Sequence, residues 1–149
     1  MNTSEFKELY EQFVFKSGSS LTQEQFTTLL MFFPALLVVV SDGKVDLEEW
    51  TYIKYLAKFM SDAYIDSASD EERSLLTESY YHALKWLIEN LETWKKLFID
   101  VLAKYLTIHP EVKDDIIETL YMFSEASEGQ SGEEIKVIER IKQELRINS

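Results

Sequence analysis

Cysteine is absent from this chain of 149 residues, and glycine and proline are scarce, with four and two residues respectively. Without cysteine the chain has no disulfide, no thiolate zinc site and no cysteine nucleophile. The shortage of turn-forming residues argues against a turn-rich all-β protein and favours helices. The length suits one domain, and hydrophobic residues make up 46% of the chain, which is ample material for a buried core. We therefore predict a single all-α domain over residues 1–149.

Positive charge is also in short supply. Fifteen Lys and Arg residues stand against 27 Asp and Glu residues, so the formal net charge is −12. A chain of this sign repels the phosphates of nucleic acids and the headgroups of anionic lipids. We expect no binding to nucleic acid, and we expect divalent cations or basic protein surfaces as the partners of such a chain.

Long hydrophobic runs are missing as well. The longest uncharged apolar run has twelve residues, LLMFFPALLVVV at 29–40, and it contains Pro34. Twelve residues are too few to cross a bilayer, so we predict a buried core helix and no direct membrane insertion. The N-terminal stretch MNTSEFKELYEQF has no positive start followed by an apolar run, so we predict no signal peptide and a cytoplasmic location.

Apolar residues that recur every three or four positions predict about seven helices. Thr22 and Gln25 form a capping-box pattern at the start of the second helix, and Ser69 or Asp70 is the predicted cap of the fourth. Pro34 predicts a kink or a break in the second helix, and Pro110 is predicted at the first position of the sixth. The predicted helices cover residues 4–17, 22–40, from 47 onward, about 70–90, 92–108, 110–127 and 132–147.

Two stretches of the chain echo each other. They are VSDGKVDLEEWTYIKYLAKFM at 40–60 and ASEGQSGEEIKVIERIKQEL at 126–145. Each contains a serine, an acid and a glycine in a row, then two glutamates, and then a helix with an apolar stripe. This similarity predicts two related helix–turn–helix hairpins that arose by duplication.

The first acidic turn fits only half of a calcium-binding EF-hand loop. With Gly43 at the sixth position, Asp42, Asp46 and Glu49 fall at positions where an EF-hand has ligands. The first and third positions then fall on Val38 and Val40, which have no side-chain oxygen. A standard EF-hand is therefore not predicted.

Two interpretations of the acidic turns stay open. In the first, the acids only cap helices: Asp46 is a good N-cap with Glu49 three residues later, and Ser131 and Glu134 repeat that pattern. In the second, the two turns meet and their carboxylates hold Ca²⁺, Mg²⁺ or Mn²⁺, or bind a basic partner. The second interpretation explains why each turn carries more acids than capping requires. Those acids are Asp42, Asp46, Glu48 and Glu49 in the first turn and Glu125, Glu128, Glu133 and Glu134 in the second.

The stretch VVVSDGKVDLEEW at 38–50, followed by an apolar-striped helix, resembles the hallmark of the TerB-type tellurite-resistance domain. The resemblance covers about residues 22–147. It implies an all-helical fold of about seven helices with two similar hairpins, no established enzymatic activity, and a stress-response role within larger assemblies. The family pattern falls on Asp42, Gly43, Asp46 and Glu49, and on Glu128, Gly129 and Glu134. The second copy departs from it, because Glu128 replaces an aspartate, one residue is missing, and Ser131 stands where an aspartate is expected.

These observations predict a non-enzymatic stress-response or scaffold domain with an acidic patch for a divalent cation or a basic partner. The predicted ligands are Asp42, Asp46, Glu49, Glu128 and Glu134. No H-E-x-x-H, G-x-S-x-G or Walker A stretch occurs, so no catalytic residue is predicted.

The alternative is a metal-independent interaction module that docks through an apolar helical surface. Its mark would be exposed aromatic residues such as Tyr52, Tyr55 or Tyr81. His82 is expected on a partly buried helix face, packed rather than acting as a ligand.

Overall fold

The computed structural model describes residues 3–40, 47–126 and 132–147, apart from the side chains of Thr3, Glu48, 123–126 and 132–134. Every regular element within these ranges is helical, which confirms the all-α prediction. None of the described helices is long and apolar enough to cross a membrane. The elements are α1 (Thr3–Ser17), α2 (Gln23–Val39), α3 (Leu47–Asp62), α4 (Asp70–Glu89), α5 (Leu91–Ile108), a 3₁₀ turn (Pro110–Val112), α6 (Lys113–Ala126) and α7 (Gly132–Glu144).

Local capping sets the start of two helices. The Gln25 amide donates to Thr22 Oγ1 at 3.2 Å, and the Thr22 amide donates to Gln25 Oε1 at 2.9 Å, as the sequence predicts. At α4 the cap is Ser69, whose amide donates to Glu72 Oε1 at 2.9 Å. The backbone and side-chain hydrogen bonds of Ser69 lower the pKa of Glu72. Each capping box satisfies donors that the first turn of a helix leaves unpaired.

The central element of the fold is α2, which packs against α1, α3, α5, α6 and α7. Every residue from Phe33 to Val40 is buried, which confirms the prediction of a buried core helix in this stretch. The helix runs through Pro34 as one element, so the alternative of a break is wrong. Tertiary burial on all sides compensates for the hydrogen bond that proline removes.

An aromatic cluster joins α1, α2 and α5. The Phe13 ring centroid lies 5.3 Å from that of Phe26 and 5.9 Å from that of Phe98, and Phe33 lies 4.7 Å from Phe98. All four side chains are fully buried. Aromatic pairs at these separations add about 0.5–1.5 kcal/mol each beyond the burial of their area.

Polar contacts hold α3 against α4, and α4 against the start of α2. Ser61 and Thr77 hydroxyls are 2.5 Å apart, and Arg73 Nη1 lies 3.2 Å from Asp62 Oδ1. In the same region the Tyr80 hydroxyl donates to the Gln25 carbonyl oxygen at 2.8 Å. The first two contacts fix α3 against α4, and the third fixes α4 against α2. The other side of α3 forms part of the surface described below.

The ends of the last two helices differ from the predictions by a few residues. Pro110 opens a 3₁₀ turn, and α6 itself begins at Lys113. The helix α7 ends at Glu144 rather than near Ile147. Arg146 has a positive φ of 58°, and the Ile147 amide donates to the Lys142 carbonyl oxygen at 2.8 Å, which is the hydrogen bond of a Schellman-type C-terminus.

Candidate functional site

Most of the predicted acidic site lies outside the described residues. Asp42 and Asp46 fall in the stretch 41–46, and Glu128 falls in 127–131. Glu134 belongs to α7, but its side chain is outside the described part of the chain. The shared carboxylate cluster of the two turns therefore stays a prediction, as does the pairing of the two hairpins.

Glu49 is the one predicted ligand whose side chain is described. It lies in the first turn of α3 and is only 8% exposed, although it is ionisable. It has at least one polar or electrostatic partner. A buried carboxylate needs hydrogen bonds or a cation to offset its lost hydration. Both open interpretations of the turn, capping and ligation, supply such a partner.

No other metal site is evident in the described part of the molecule. Among the described side chains there is no group of three or more His, Asp or Glu residues that could hold a metal ion. The only described Lys or Arg in the buried class is Lys142 of α7, 7% exposed, whose ammonium lies 5.8 Å above the ring of Tyr121 and 3.9 Å from Glu139 Oε1. Lys142 thus belongs to the packing of α7 against α6.

A groove lies between α3 and α6 and has a volume of about 780 Å³. We call it the α3–α6 groove. Phe59 of α3 and Met122 of α6 line it and are 45% and 41% exposed. The Phe59 ring packs edge-on against Phe32 of α2 at 5.5 Å, so α2 supports the groove from beneath. The groove is defined by Phe59, Asp114, Ile117, Glu118, Thr119, Tyr121 and Met122.

The described charged residues that line the α3–α6 groove are both acidic. Asp114 and Glu118 stand one turn apart on α6, and no described residue forms an ion pair with either. None of the described residues that line the groove is Lys or Arg. Lys113 is close in sequence, but its ammonium donates to the Arg146 carbonyl oxygen at 3.5 Å. The groove therefore combines exposed apolar side chains with carboxylates that have no described counter-ion.

The aromatic residues predicted for a docking surface behave differently from one another. Tyr55 lies one turn before Phe59 on α3 and is 60% exposed. Tyr52 is half-buried and packs edge-on against Tyr55 at 6.3 Å. Tyr81 is half-buried on α4, with Trp50 at 6.1 Å and the Lys54 ammonium at 5.9 Å from its ring. Tyr55 thus extends the exposed apolar stripe of Phe59, whereas Tyr81 belongs to the α3–α4 contact.

A second groove, between α1 and α5, has a volume of about 760 Å³, and we call it the α1–α5 groove. An ion pair of Glu5 and Lys104 joins its two helices. Trp86 and Trp94 line it and pack against each other at 5.3 Å. Both signs of charge occur along it, in Glu5, Glu8, Lys16, Asp100 and Lys104.

The two histidines lie apart. His82 is exposed on α4, so the prediction that it is partly buried is wrong, but its ring packs edge-on against Tyr81 at 6.2 Å. It borders a cleft of about 440 Å³ formed with the serine-rich stretch 17–20. His109 stacks on Tyr105 at 4.6 Å, and its Nδ1 is 3.3 Å from Glu111 Oε1. Neither histidine has a described neighbour that makes a nucleophile–base pair.

The α6 side of the α3–α6 groove was missed by reasoning from the sequence. The signal was present, because residues 114, 117, 118, 121 and 122 share one helix face and alternate between acids and apolar residues. This pattern did not indicate which face of α6 the rest of the protein would cover. The covered face depends on the distance between α3 and α6, which both pack on α2.

No protein-family model, no curated protein and no solved structure matches this chain. The TerB-type resemblance is therefore an inference from the residues of the first and second turns alone.

Proposed function

We propose that this protein is a non-enzymatic binding domain of the TerB type, with a stress-response or scaffold role in the cytoplasm, that recognises positive charge. The proposal includes two related hairpins, α2–α3 and α6–α7, whose acidic turns form one patch for a divalent cation or a basic protein. The observation that carries it is the α3–α6 groove, which lies between these two hairpins and contains carboxylates without a described counter-ion.

Charge supports the proposal at two levels. The chain as a whole carries −12, which attracts cationic partners over long range. Locally, Asp114 and Glu118 have no described cation, and Glu49 is a carboxylate kept largely out of water next to the first acidic turn. Carboxylates in such places attract positive charge, which supports recognition of a cation or a basic protein.

The cation form of the proposal is tested by calorimetric titration of the metal-free protein with Ca²⁺, Mg²⁺ and Mn²⁺. We expect micromolar binding that the Asp42→Asn/Glu49→Gln double variant loses. The matched control is Glu71→Gln/Glu78→Gln, which removes two exposed carboxylates of α4 far along the chain from the turns. Circular dichroism of each variant checks that the helices are intact.

Either result of the titration is informative. Binding that persists in the Asp42→Asn/Glu49→Gln variant contradicts ligation by the first turn. No binding up to millimolar cation leaves Asp46 and Glu49 as helix caps, and the acidic patch is then a surface for a basic protein.

A second candidate function is metal-independent docking through an apolar helical surface. It is favoured by the exposure of Tyr55, Phe59 and Met122 along one groove. The two candidate functions predict different effects of a chelator and of Asp42→Asn on the binding of a partner. A partner captured equally well with and without a chelator, and unaffected by Asp42→Asn, supports the second candidate over the first.

A further inference from the structure

We infer that the α3–α6 groove is the docking site for a basic amphipathic helix of a partner protein. This inference rests on the proposed function and names its partner by chemistry. The helix would place apolar side chains on Phe59, Ile117 and Met122, and lysines or arginines beside Asp114 and Glu118.

The apolar part of the groove suits a helical ligand. Proteins that bind an amphipathic helix offer a hydrophobic groove to residues spaced three, four and seven positions apart. On α6, Asp114 and Met122 are about two turns apart, which is about 12 Å along the helix axis. This length matches the span of two apolar turns of a ligand. Met122 adds an unbranched side chain that adapts to differently shaped partners.

The carboxylates of the groove determine the sign of the charge that we expect on the ligand. Asp114 and Glu118 are separated by four residues, so a ligand helix with basic residues at the same spacing meets both. Each described lining residue is acidic or uncharged. An anionic lipid surface would be repelled, and so would a second copy of this chain, which carries −12.

The α1–α5 groove is the comparison that makes this assignment specific. It is of similar volume and also exposes apolar surface, but Lys104 and Glu5 already pair across it. Its lining contains two lysines beside three acids, whereas the described charged residues that line the α3–α6 groove are two acids. No described residue forms an ion pair with the carboxylates of the α3–α6 groove, which leaves them able to pair with a basic ligand.

The test uses the full chain and a fluorescent, amidated 18-residue peptide with Leu and Phe on one helical face and six lysines on the other. Binding is measured by anisotropy at 150 mM NaCl. We expect binding to the wild type, weakened about tenfold or more by Phe59→Ser, as is typical of an apolar anchor. Met122→Lys, which adds repulsion at an exposed position, is expected to have a similar effect.

The acids are tested separately. We expect Asp114→Asn/Glu118→Gln to weaken binding about threefold or more and to reduce its dependence on salt. The matched control for Phe59→Ser is Leu75→Ser, which changes another exposed apolar residue. The matched control for the acids is Glu92→Gln/Glu78→Gln, which changes one exposed acid in the first turn of a helix and one in the middle of a helix. The peptide with its lysines replaced by glutamates is expected not to bind.

Methionine methyl NMR gives a readout without substitution. The chain has four methionines, of which Met122 lies in the groove and Met60 is fully buried. On addition of the lysine peptide, the Met122 methyl signal is expected to shift most. The inference is overturned if the largest shift arises elsewhere, or if the chain self-associates through Phe59 and the peptide does not compete.

The outcomes separate this inference from the proposed function. Peptide binding that the groove variants retain but Asp42→Asn/Glu49→Gln abolishes would overturn the groove and support the acidic turns. Equal losses in the groove and control acid variants would mean attraction to net charge alone and would also overturn the groove. If the peptide does not bind at all, the groove inference fails, and the cation titration alone decides the proposed function.

Discussion

The α3–α6 groove and the α1–α5 groove have nearly the same volume, about 780 and 760 Å³, but their chemistry differs. The α1–α5 groove is joined across by Glu5 and Lys104, and Trp86 and Trp94 line it. The α3–α6 groove has no described ion pair across it, and its exposed apolar residues stand beside carboxylates. The two grooves therefore differ in the charge of their described lining residues, which is of both signs in the α1–α5 groove and acidic in the α3–α6 groove.

The floor of each groove has a different relation to the core. Trp86 and Trp94 pack edge-on against Phe13, which is fully buried at the centre of the aromatic cluster. Phe59 touches Phe32, which is itself only half-buried. The α1–α5 groove is thus an indentation over the core, whereas the α3–α6 groove lies at the edge of it.

The largest expected effect tests this difference directly. Phe13→Ala should lower the free energy of unfolding by about 3–5 kcal/mol, because it leaves a cavity among four aromatic rings. Phe59→Ala should cost no more than about 1.5 kcal/mol, because half of the side chain is already in water. Urea denaturation at pH 7 measures both. Equal losses would mean that the α3–α6 groove belongs to the core, and the comparison would fail.

An intermediate effect is expected at Tyr80, which joins α4 to α2. Its hydroxyl donates to the Gln25 carbonyl oxygen, so Tyr80→Phe should lower stability by about 0.5–1.5 kcal/mol at pH 7. Burial raises the pKa of Tyr80 well above 10.0. The folded protein therefore keeps this proton where the unfolded chain loses it, and the associated stability falls as pH rises above about 10.

The pH dependence provides the measurement. The difference in unfolding free energy between the wild type and Tyr80→Phe should shrink between pH 9 and 11, because only the wild type has this phenol to ionise. Denaturant titrations across that range follow it. A difference that stays constant would contradict the burial-raised pKa of Tyr80. Tyr55→Phe, at an exposed position, is expected to leave stability at pH 7 unchanged.

The smallest expected change in the free energy of unfolding comes from removing charged side chains of the two grooves. Lys104→Met removes the ion pair across the α1–α5 groove, whose side chains are 58% and 36% exposed, and should cost less than about 1 kcal/mol. The loss should diminish at high salt, which screens exposed charges. Glu118→Gln should change stability by no more than about 0.5 kcal/mol at any salt concentration. A clear loss with Glu118→Gln would reveal a counter-ion and make the two grooves alike.

Local chemistry allowed much of the helical pattern to be predicted. Thr22 with Gln25 and Ser69 with Glu72 form capping boxes that need only neighbouring residues, so the starts of α2 and α4 agree with the predictions. The ends of helices were less predictable. Pro110 suits the first turn of an α-helix but begins a 3₁₀ turn here, a choice that local propensity does not make.

Other errors came from tertiary contacts. Pro34 does not break α2, because helices on all sides bury this segment. His82 was placed on a partly buried face, but it is exposed beside the serine-rich stretch 17–20, because α4 packs along α3 with a different face. In both cases the neighbours of the helix, which periodicity does not identify, decided the outcome.

The sequence by itself determined that this protein is helical, acidic and without cysteine chemistry, because periodicity, capping and charge are properties of neighbouring residues. It also placed acids in two turns, whose joint role stays a prediction. Only the tertiary structure decided that Phe59 of α3 and Met122 of α6 line one groove with Asp114 and Glu118. The physical reason is that α2 separates two helices far apart in the sequence, and the distance between their faces determines which side chains remain in water.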